Sequence, residues 1–245
     1  MNNLLLELSV LVIAVFLGAM LQVGVGIGFS IVAGPSMMIL LGTATAVPAL
    51  LLLNTIVSAV ATDWRAVPAE LSTIKMAVLG CLTGVVAGLV VYPLLSEAFV
   101  LALTGFLLLI GVVTTLIPLH KSFGTKGFVT VNGLSGLATV WAATPGPLMV
   151  FGLIAKGFSS KEVAVLVQPI ALVAYGVAFL LHSISDWQSI PFGSQLMGFA
   201  GAAVIGSLCG RAVRPYLPQT LVKSAIRVIS LLACYVLLRR AFLAL

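Results

Sequence analysis

Charged residues are scarce in this chain. They make up 7% of its 245 residues, against about 25% in a typical soluble domain. The first two acidic residues, Glu7 and Asp63, are separated by 55 consecutive uncharged residues. A transmembrane helix needs about 20 apolar residues, so this stretch alone has room for two crossings. The scarcity of charge excludes a soluble domain and indicates an integral membrane protein.

Residues that carry metal, redox or proton chemistry are also few. Cys81, Cys209 and Cys234 lie inside apolar runs without CxxC spacing, and His120 and His182 stand alone at predicted helix ends. We expect these five side chains to pack rather than to bind a metal. Clustered histidines, cysteines or carboxylates that could form an active site are lacking, and no acid lies mid-span to relay protons. We therefore expect neither an enzyme nor a bound metal or cofactor.

The net charge of +6 comes from loops and helix ends rather than from one basic face. Three of the predicted loops, at 43–46, 93–97 and 182–193, contain no Lys or Arg, and the loops between them hold eight. Basic loops mark the cytoplasmic side of a membrane. This pattern predicts a multi-pass membrane protein, surrounded by lipid, with no nucleic-acid partner. Homo-oligomerisation is left open.

The two halves of the chain resemble each other. Gly34 matches Gly146 at an offset of 112 residues, and Gly84 matches Gly206 at an offset of 122. Asp63-Trp64 matches Asp186-Trp187 at an offset of 123, and these pairs fit interfacial anchors. The order and spacing of such matches predict an internal duplication.

Each half divides into five apolar segments, all expected to be helical because lipid offers backbone groups no other partner. The first half is predicted to hold helices at 4–31, 35–42, 47–61, 74–92 and 98–118. The second is predicted to hold helices at 127–143, 147–155, 163–181, 195–212 and 220–238. The loop charges give the halves opposite orientations, so residues 1–118 and 127–245 are predicted to be inverted membrane repeats joined by a cytoplasmic linker at 119–126.

Two of these segments are too short to span a membrane. At 1.5 Å per residue, 35–42 and 147–155 reach only about 12–14 Å, roughly half of the hydrocarbon core. Glycine frees the backbone and proline suits the first position of a helix. We therefore expect broken or re-entrant helices that start near Pro35 and Pro147.

A helix start presents unpaired N–H groups and the positive end of the helix dipole, which together favour an anion. The candidate substrate-binding residues surround the two expected starts. In the first half they are Gln22, Gly24, Gly26, Gly28, Ser30, Gly34, Pro35 and Ser36. In the second they are Asn132, Ser135, Gly136, Thr139, Trp141, Thr144, Pro145, Gly146 and Pro147.

Each of these features has a simpler interpretation that stays open. The glycines at 24, 26 and 28 are typical of close helix packing, and each proline is compatible with a simple kink. Asn54 and Gln168 fit interhelical hydrogen bonding better than ligand contact. The two starts can form one site only if both dip to the middle of the bilayer, because full hairpins in inverted halves would place them about 30 Å apart.

The glycine- and proline-rich segments resemble those of the sulfite exporter TauE/SafE family of permeases. The resemblance is carried by Gly24-Val-Gly26-Ile-Gly28 with Gly34-Pro35, and by Gly133-Leu-Ser-Gly136 with Pro145-Gly146-Pro147. It implies transport of sulfite, sulfonates or related sulfur-containing anions across the bacterial inner membrane. Gly28-Phe29 and Trp141-Ala-Ala143 depart from the usual glycine-rich pattern of the family.

The resulting hypothesis is a secondary transporter of a small sulfur-containing anion, such as sulfite, a sulfonate or a sulfoacetate-like compound, acting as an exporter. Its two halves are expected to rock around a shared site. One alternative is an importer of another small anionic metabolite. Another is a membrane subunit that assists the assembly of a different complex and transports nothing.

Overall fold

The computed structural model describes residues 2–26, 28–116, 124–185, 193–216 and 219–244. These ranges contain ten α-helices and three short 3-10 turns, and no strand. The first five helices are α1 (Asn2–Val25), α2 (Phe29–Leu41), α3 (Thr43–Ala61), α4 (Leu71–Val91) and α5 (Glu97–Leu116). The other five are α6 (Thr125–Ala142), α7 (Gly146–Ala155), α8 (Ser160–Ser185), α9 (Ser194–Val213) and α10 (Gln219–Leu243). The predicted all-helical fold is confirmed.

Length and composition separate possible membrane spans from shorter helices. Six segments of the described residues are long and apolar enough to cross a membrane: Leu5–Gly24, Thr43–Ala61, Val67–Leu94, Glu97–Thr114, Ser160–Ile184 and Gln195–Tyr216. The apolar helices α2 and α7 have only 13 and 10 residues, which reach about 20 and 15 Å. Neither spans a hydrocarbon core of about 30 Å, so the chain is a multi-pass membrane protein with two partial helices.

The first partial helix begins earlier than its proline suggested. α2 starts at Phe29, and Pro35 lies inside it. Gly26 and Gly28, with φ of 98° and 153°, interrupt the chain before Phe29, because glycine adopts such angles without steric cost. Pro35 only removes one internal N–H donor. The prediction that the first short helix starts near Pro35 is therefore displaced by six residues, whereas α7 begins at Gly146 with Pro147 at its N-terminus, as predicted.

The closest helix pairs join one half of the chain to the other. α1 packs along α9, and α4 packs along α6. A Cβ at Gly84 would collide with the backbone of Gly133, and one at Gly206 would collide with the backbone of Phe16. Small residues let helix backbones approach this closely. The two halves are thus interlocked rather than side by side.

Exchanging the halves reproduces the pattern of helix pairs. If α1–α5 are matched in order to α6–α10, the pair α1–α9 becomes α6–α4, and α2–α10 becomes α7–α5; both members of each exchange are observed. The pair α3–α8 maps onto itself, and its helices are antiparallel, since Thr55 lies by Gly176 while Ser58 lies in the neighbourhood of Gln168. This arrangement is compatible with inverted repeats and supports them. The repeat boundaries stay predictions.

Some predicted features lie outside the described residues. They are Asp186-Trp187, His120, and residues 119–123 of the predicted linker. In the first half, Asp63 Oδ1 accepts a hydrogen bond from the Arg65 N–H at 3.1 Å, and Trp64 is exposed beside it. An exposed tryptophan just past the end of α3 fits the expected interfacial anchor.

Candidate functional site

The first chain break, at Gly26 and Gly28, is held by two glutamine side chains. Gln22 Oε1 accepts from the Phe29 N–H at 3.1 Å, and Gln168 Nε2 donates to the Gly26 carbonyl at 2.7 Å. The two amides also meet each other, because Gln22 Nε2 donates to Gln168 Oε1 at 3.3 Å. Backbone groups that the break would leave unpaired therefore find partners on α1 and α8.

The second break, at residues 143–145, is held by the backbone instead. Ala143 has φ 49° and ψ 30°, in the left-handed region. Its N–H donates to Thr139 O at 2.9 Å, and the Thr144 N–H donates to Ala138 O at 3.3 Å. The bond from Ala143 to Thr139 is that of the αL type of helix end, with alanine where glycine is usual. Pro145 follows and ends any continuation of α6.

Ser30 brings the two breaks together. Its Oγ donates to the Ala143 carbonyl at 2.8 Å. The same oxygen lies 3.3 Å from Asn54 Oδ1 and 3.3 Å from Tyr175 Oη. Residues 113 positions apart thus touch in the interior, and the two breaks meet at one place.

The side chains at this meeting point form what we call the polar cluster. Its members come from α1, α2, α3 and α8, and each is less than 9% exposed. They are Gln22, Ser30, Asn54, Ser58, Gln168 and Tyr175. All six are uncharged, and the buried polar residues of the described ranges include no Asp, Glu, Lys or Arg. A solute bound here would meet hydroxyl and amide groups, which both donate and accept hydrogen bonds.

The helix starts are less open to an anion than the sequence suggested. The Phe29 N–H is occupied by Gln22 Oε1, and the N–H groups of Leu148 and Met149 both donate to Pro145 O at 3.1 Å. Pro147 has no N–H. Most backbone donors of the first turns are therefore used within the protein.

The second-half candidates are buried but turned toward their own backbone. Ser135 Oγ donates to Pro145 O at 3.1 Å, Thr139 Oγ1 donates to Ser135 O at 2.8 Å, and Thr144 Oγ1 donates to Ala142 O at 2.8 Å. Asn132 Nδ2 donates to Phe128 O at 2.8 Å. These contacts fix the shape of the second break; they bring no side chain of this set into the polar cluster.

The remaining candidates lie away from the cluster or serve packing. Trp141 Nε1 donates to Gly88 O on α4 at 2.8 Å. Gly136 faces the backbone of Cys81, which is also on α4. Ser36 Oγ bonds Val32 O within α2 at 3.4 Å. Gly34 and Gly146 have open space where a Cβ would stand. Gly24 belongs to the last turn of α1.

Tyr175 and Ser58 belong to the cluster although neither was a candidate, and Asn54 and Gln168 had been assigned to helix packing. A sequence signal for Tyr175 exists: Asn54 follows Pro48 by six residues on α3, and Tyr175 follows Pro169 by six residues on α8. Both reach the same Ser30 hydroxyl. Extending the internal duplication to α3 and α8 would have placed these two side chains at equivalent positions.

The fold and this neutral interior define a multi-pass membrane protein with two broken helices that meet inside it. In the described residues no group of three or more His, Cys, Asp or Glu side chains is placed to hold a metal ion. The family model described as sulfite exporter TauE/SafE matches residues 11–237, so the chain belongs to that family of membrane transporters. No curated protein and no solved structure matches the chain.

Proposed function

We propose that the protein is a secondary transporter that exports a small sulfur-containing anion, such as sulfite or a sulfonate, across the bacterial inner membrane. The family supports the class of substrate. The observation that carries the site is the contact between Ser30 Oγ and the Ala143 carbonyl, 2.8 Å apart, which brings one break from each half to the same buried place.

The chemistry of the polar cluster suits a compact oxyanion. Ser30 lies within hydrogen-bonding distance of Tyr175, and the Gln22 amide lies within that distance of the Gln168 amide. They can turn their donors to sulfonate or sulfite oxygens when a solute replaces these mutual contacts. A neutral site also avoids the strong ion pairing that would hold an anion too tightly to release it. Coupling by buried carboxylates is not part of the proposal, since the cluster contains none.

Reconstituted vesicles test this proposal directly. Purified protein in liposomes should carry sulfite or sulfoacetate faster than empty vesicles do. Ser30→Ala and Tyr175→Phe should each lower the flux about tenfold, by analogy with the loss of one well-placed hydrogen bond to a charged group. Tyr235→Phe, at a tyrosine that is 65% exposed on α10, is the matched control and should transport normally.

Three outcomes separate this proposal from its alternatives. If none of these anions is transported, the transporter assignment is overturned and an assembly subunit is favoured. Flux that survives in Ser30→Ala and Tyr175→Phe would remove the polar cluster from the pathway. Inside-out and right-side-out vesicles with opposite gradients measure the direction, and faster uptake than release in cells would favour the importer.

A further inference from the structure

The helices associate in groups that differ from the sequence halves. α1, α2 and α3 pack together with α9, and we call these four helices bundle one. α6, α7 and α8 pack together with α4, and these four form bundle two. Each bundle therefore contains three helices of one half and a fourth helix from the other.

The seams inside the bundles consist of backbone against backbone. Gly136 on α6 faces the backbone of Cys81 on α4, and Gly210 on α9 faces the backbone of Met20 on α1. At these positions no side chain separates the two helices, so a sideways displacement of either helix would drive it into the backbone of its neighbour. Close-packed contacts of this kind transmit movement as a unit.

The seam between the bundles is formed by side chains rather than by backbone against backbone. Here α3 lies against α8, and a Cβ at Gly176 would be 3.6 Å from Thr55 Cγ2, an ordinary van der Waals distance. Gln168 and Tyr175 from bundle two meet Gln22 and Ser30 from bundle one. The hydrogen bonds across this seam are made by polar side chains, to one another and to the backbone carbonyls of Gly26 and Ala143, and such side chains can exchange partners. On another side, α5 and α10 pack on each other, with α5 against α7 and α10 against α2.

We propose that transport moves bundle one against bundle two across the α3–α8 seam, so that the interlocked bundles, and not the two sequence halves, are the moving bodies. This inference rests on the proposed transport function. Movement of one half against the other would have to separate α1 from α9 and α4 from α6. Movement of the bundles keeps both glycine seams. It changes the α3–α8 contacts around the polar cluster, where the substrate would bind, and the contacts through which α5 and α10 connect the bundles.

Spin-label distances discriminate the two kinds of movement. Val86 on α4, Leu134 on α6 and Ile205 on α9 are 57%, 49% and 58% exposed and accept labels without entering the core. The pair V86C/L134C joins different halves within bundle two. The pair L134C/I205C joins different bundles within the second half. Both pairs are made after replacing Cys81, Cys209 and Cys234 by alanine, and distances are measured in lipid nanodiscs with and without sulfite.

The expected result is one narrow distance for V86C/L134C in every condition and a shifted or two-peaked distribution for L134C/I205C. The reverse pattern would show that the halves move, and an unchanged L134C/I205C distance would likewise overturn the proposal. These readings need no flux. Absence of flux in the vesicle assay refutes the transport function, whereas the distances decide which bodies move.

Disulfide cross-links add a functional readout. G88C/L137C links α4 to α6 within bundle two, where a Cβ at Gly88 would lie 3.5 Å from Leu137 Cα. T55C/G176C links α3 to α8 between the bundles. Oxidised G88C/L137C should retain most of its flux, and oxidised T55C/G176C should lose at least nine-tenths of it and recover on reduction. Blockage by the α4–α6 link would contradict the proposal.

Discussion

Each chain break leaves backbone groups that need hydrogen-bond partners, and the two breaks pair these groups in different ways. In the first, Gly26 and Gly28 take positive φ angles and the amides of Gln22 and Gln168 satisfy the interrupted backbone. In the second, Ala143 takes the left-handed conformation and the backbone pairs with itself, while prolines bound the next helix. The first break thus depends on a side chain from α8. The second break pairs its N–H groups within its own segment, and its Ala143 carbonyl accepts from Ser30 and Tyr175 outside that segment.

This difference indicates which break is coupled more strongly to the opposite bundle. Gln168 belongs to bundle two, yet it bonds the Gly26 carbonyl of bundle one. Movement across the α3–α8 seam would strain or release the first break directly. The second break would keep its own backbone hydrogen bonds within bundle two, and only the contact of its Ala143 carbonyl with Ser30 would change. We therefore expect substitutions at the first break to affect both stability and transport more strongly.

The largest effect is expected at Gly26. A Cβ there would stand 2.8 Å from the Cβ of Ala164, and φ is 98°, an angle that costs a residue with a side chain on the order of 1–3 kcal/mol. Gly26→Ala should lower the melting temperature and abolish most of the flux. Gly34→Ala, where space is open, is the matched control. Equal behaviour of the two variants in a thermal-shift and flux comparison would refute the role of the first break.

The next largest effect is expected at Gln168. Gln168→Leu removes the donor to the Gly26 carbonyl and the acceptor of one Gln22 Nε2–H. Each buried group left unsatisfied lowers the free energy of unfolding by about 1–3 kcal/mol. The corresponding change at the second break is Ser135→Ala, which removes one hydrogen bond to Pro145 O and should cost about 0.5–1.5 kcal/mol. Urea or thermal unfolding in detergent measures both. A larger loss of unfolding free energy for Ser135→Ala than for Gln168→Leu would contradict the expected difference between the two breaks.

Sequence reasoning reached the class of fold, the short helices and the start of α7, because apolar runs and a proline at the first helical turn are local signals. It misplaced the start of α2, because Gly26 and Gly28 break the chain upstream of Pro35 and the proline lies inside the helix that follows. It also missed Tyr175. Which side chains of α3 and α8 face Ser30 depends on how the bundles interlock, and that follows from glycine contacts between distant segments rather than from any local pattern.

The smallest effect, and one of opposite sign, is expected at Ala143. Its left-handed conformation costs a residue with a Cβ about 1 kcal/mol, and glycine removes that cost while adding a similar loss through the freer unfolded chain. Ala143→Gly should therefore leave the melting temperature unchanged or slightly higher. The Ala143 carbonyl still accepts from Ser30, so flux should stay within about twofold of the parent protein, a change smaller than the loss of one net hydrogen bond. Ala143→Val, with a branched side chain in the same conformation, should be clearly less stable. If Ala143→Gly lost transport as Gly26→Ala is expected to, the second break would be as tightly coupled to the bundle seam as the first, and the contrast between them would fail.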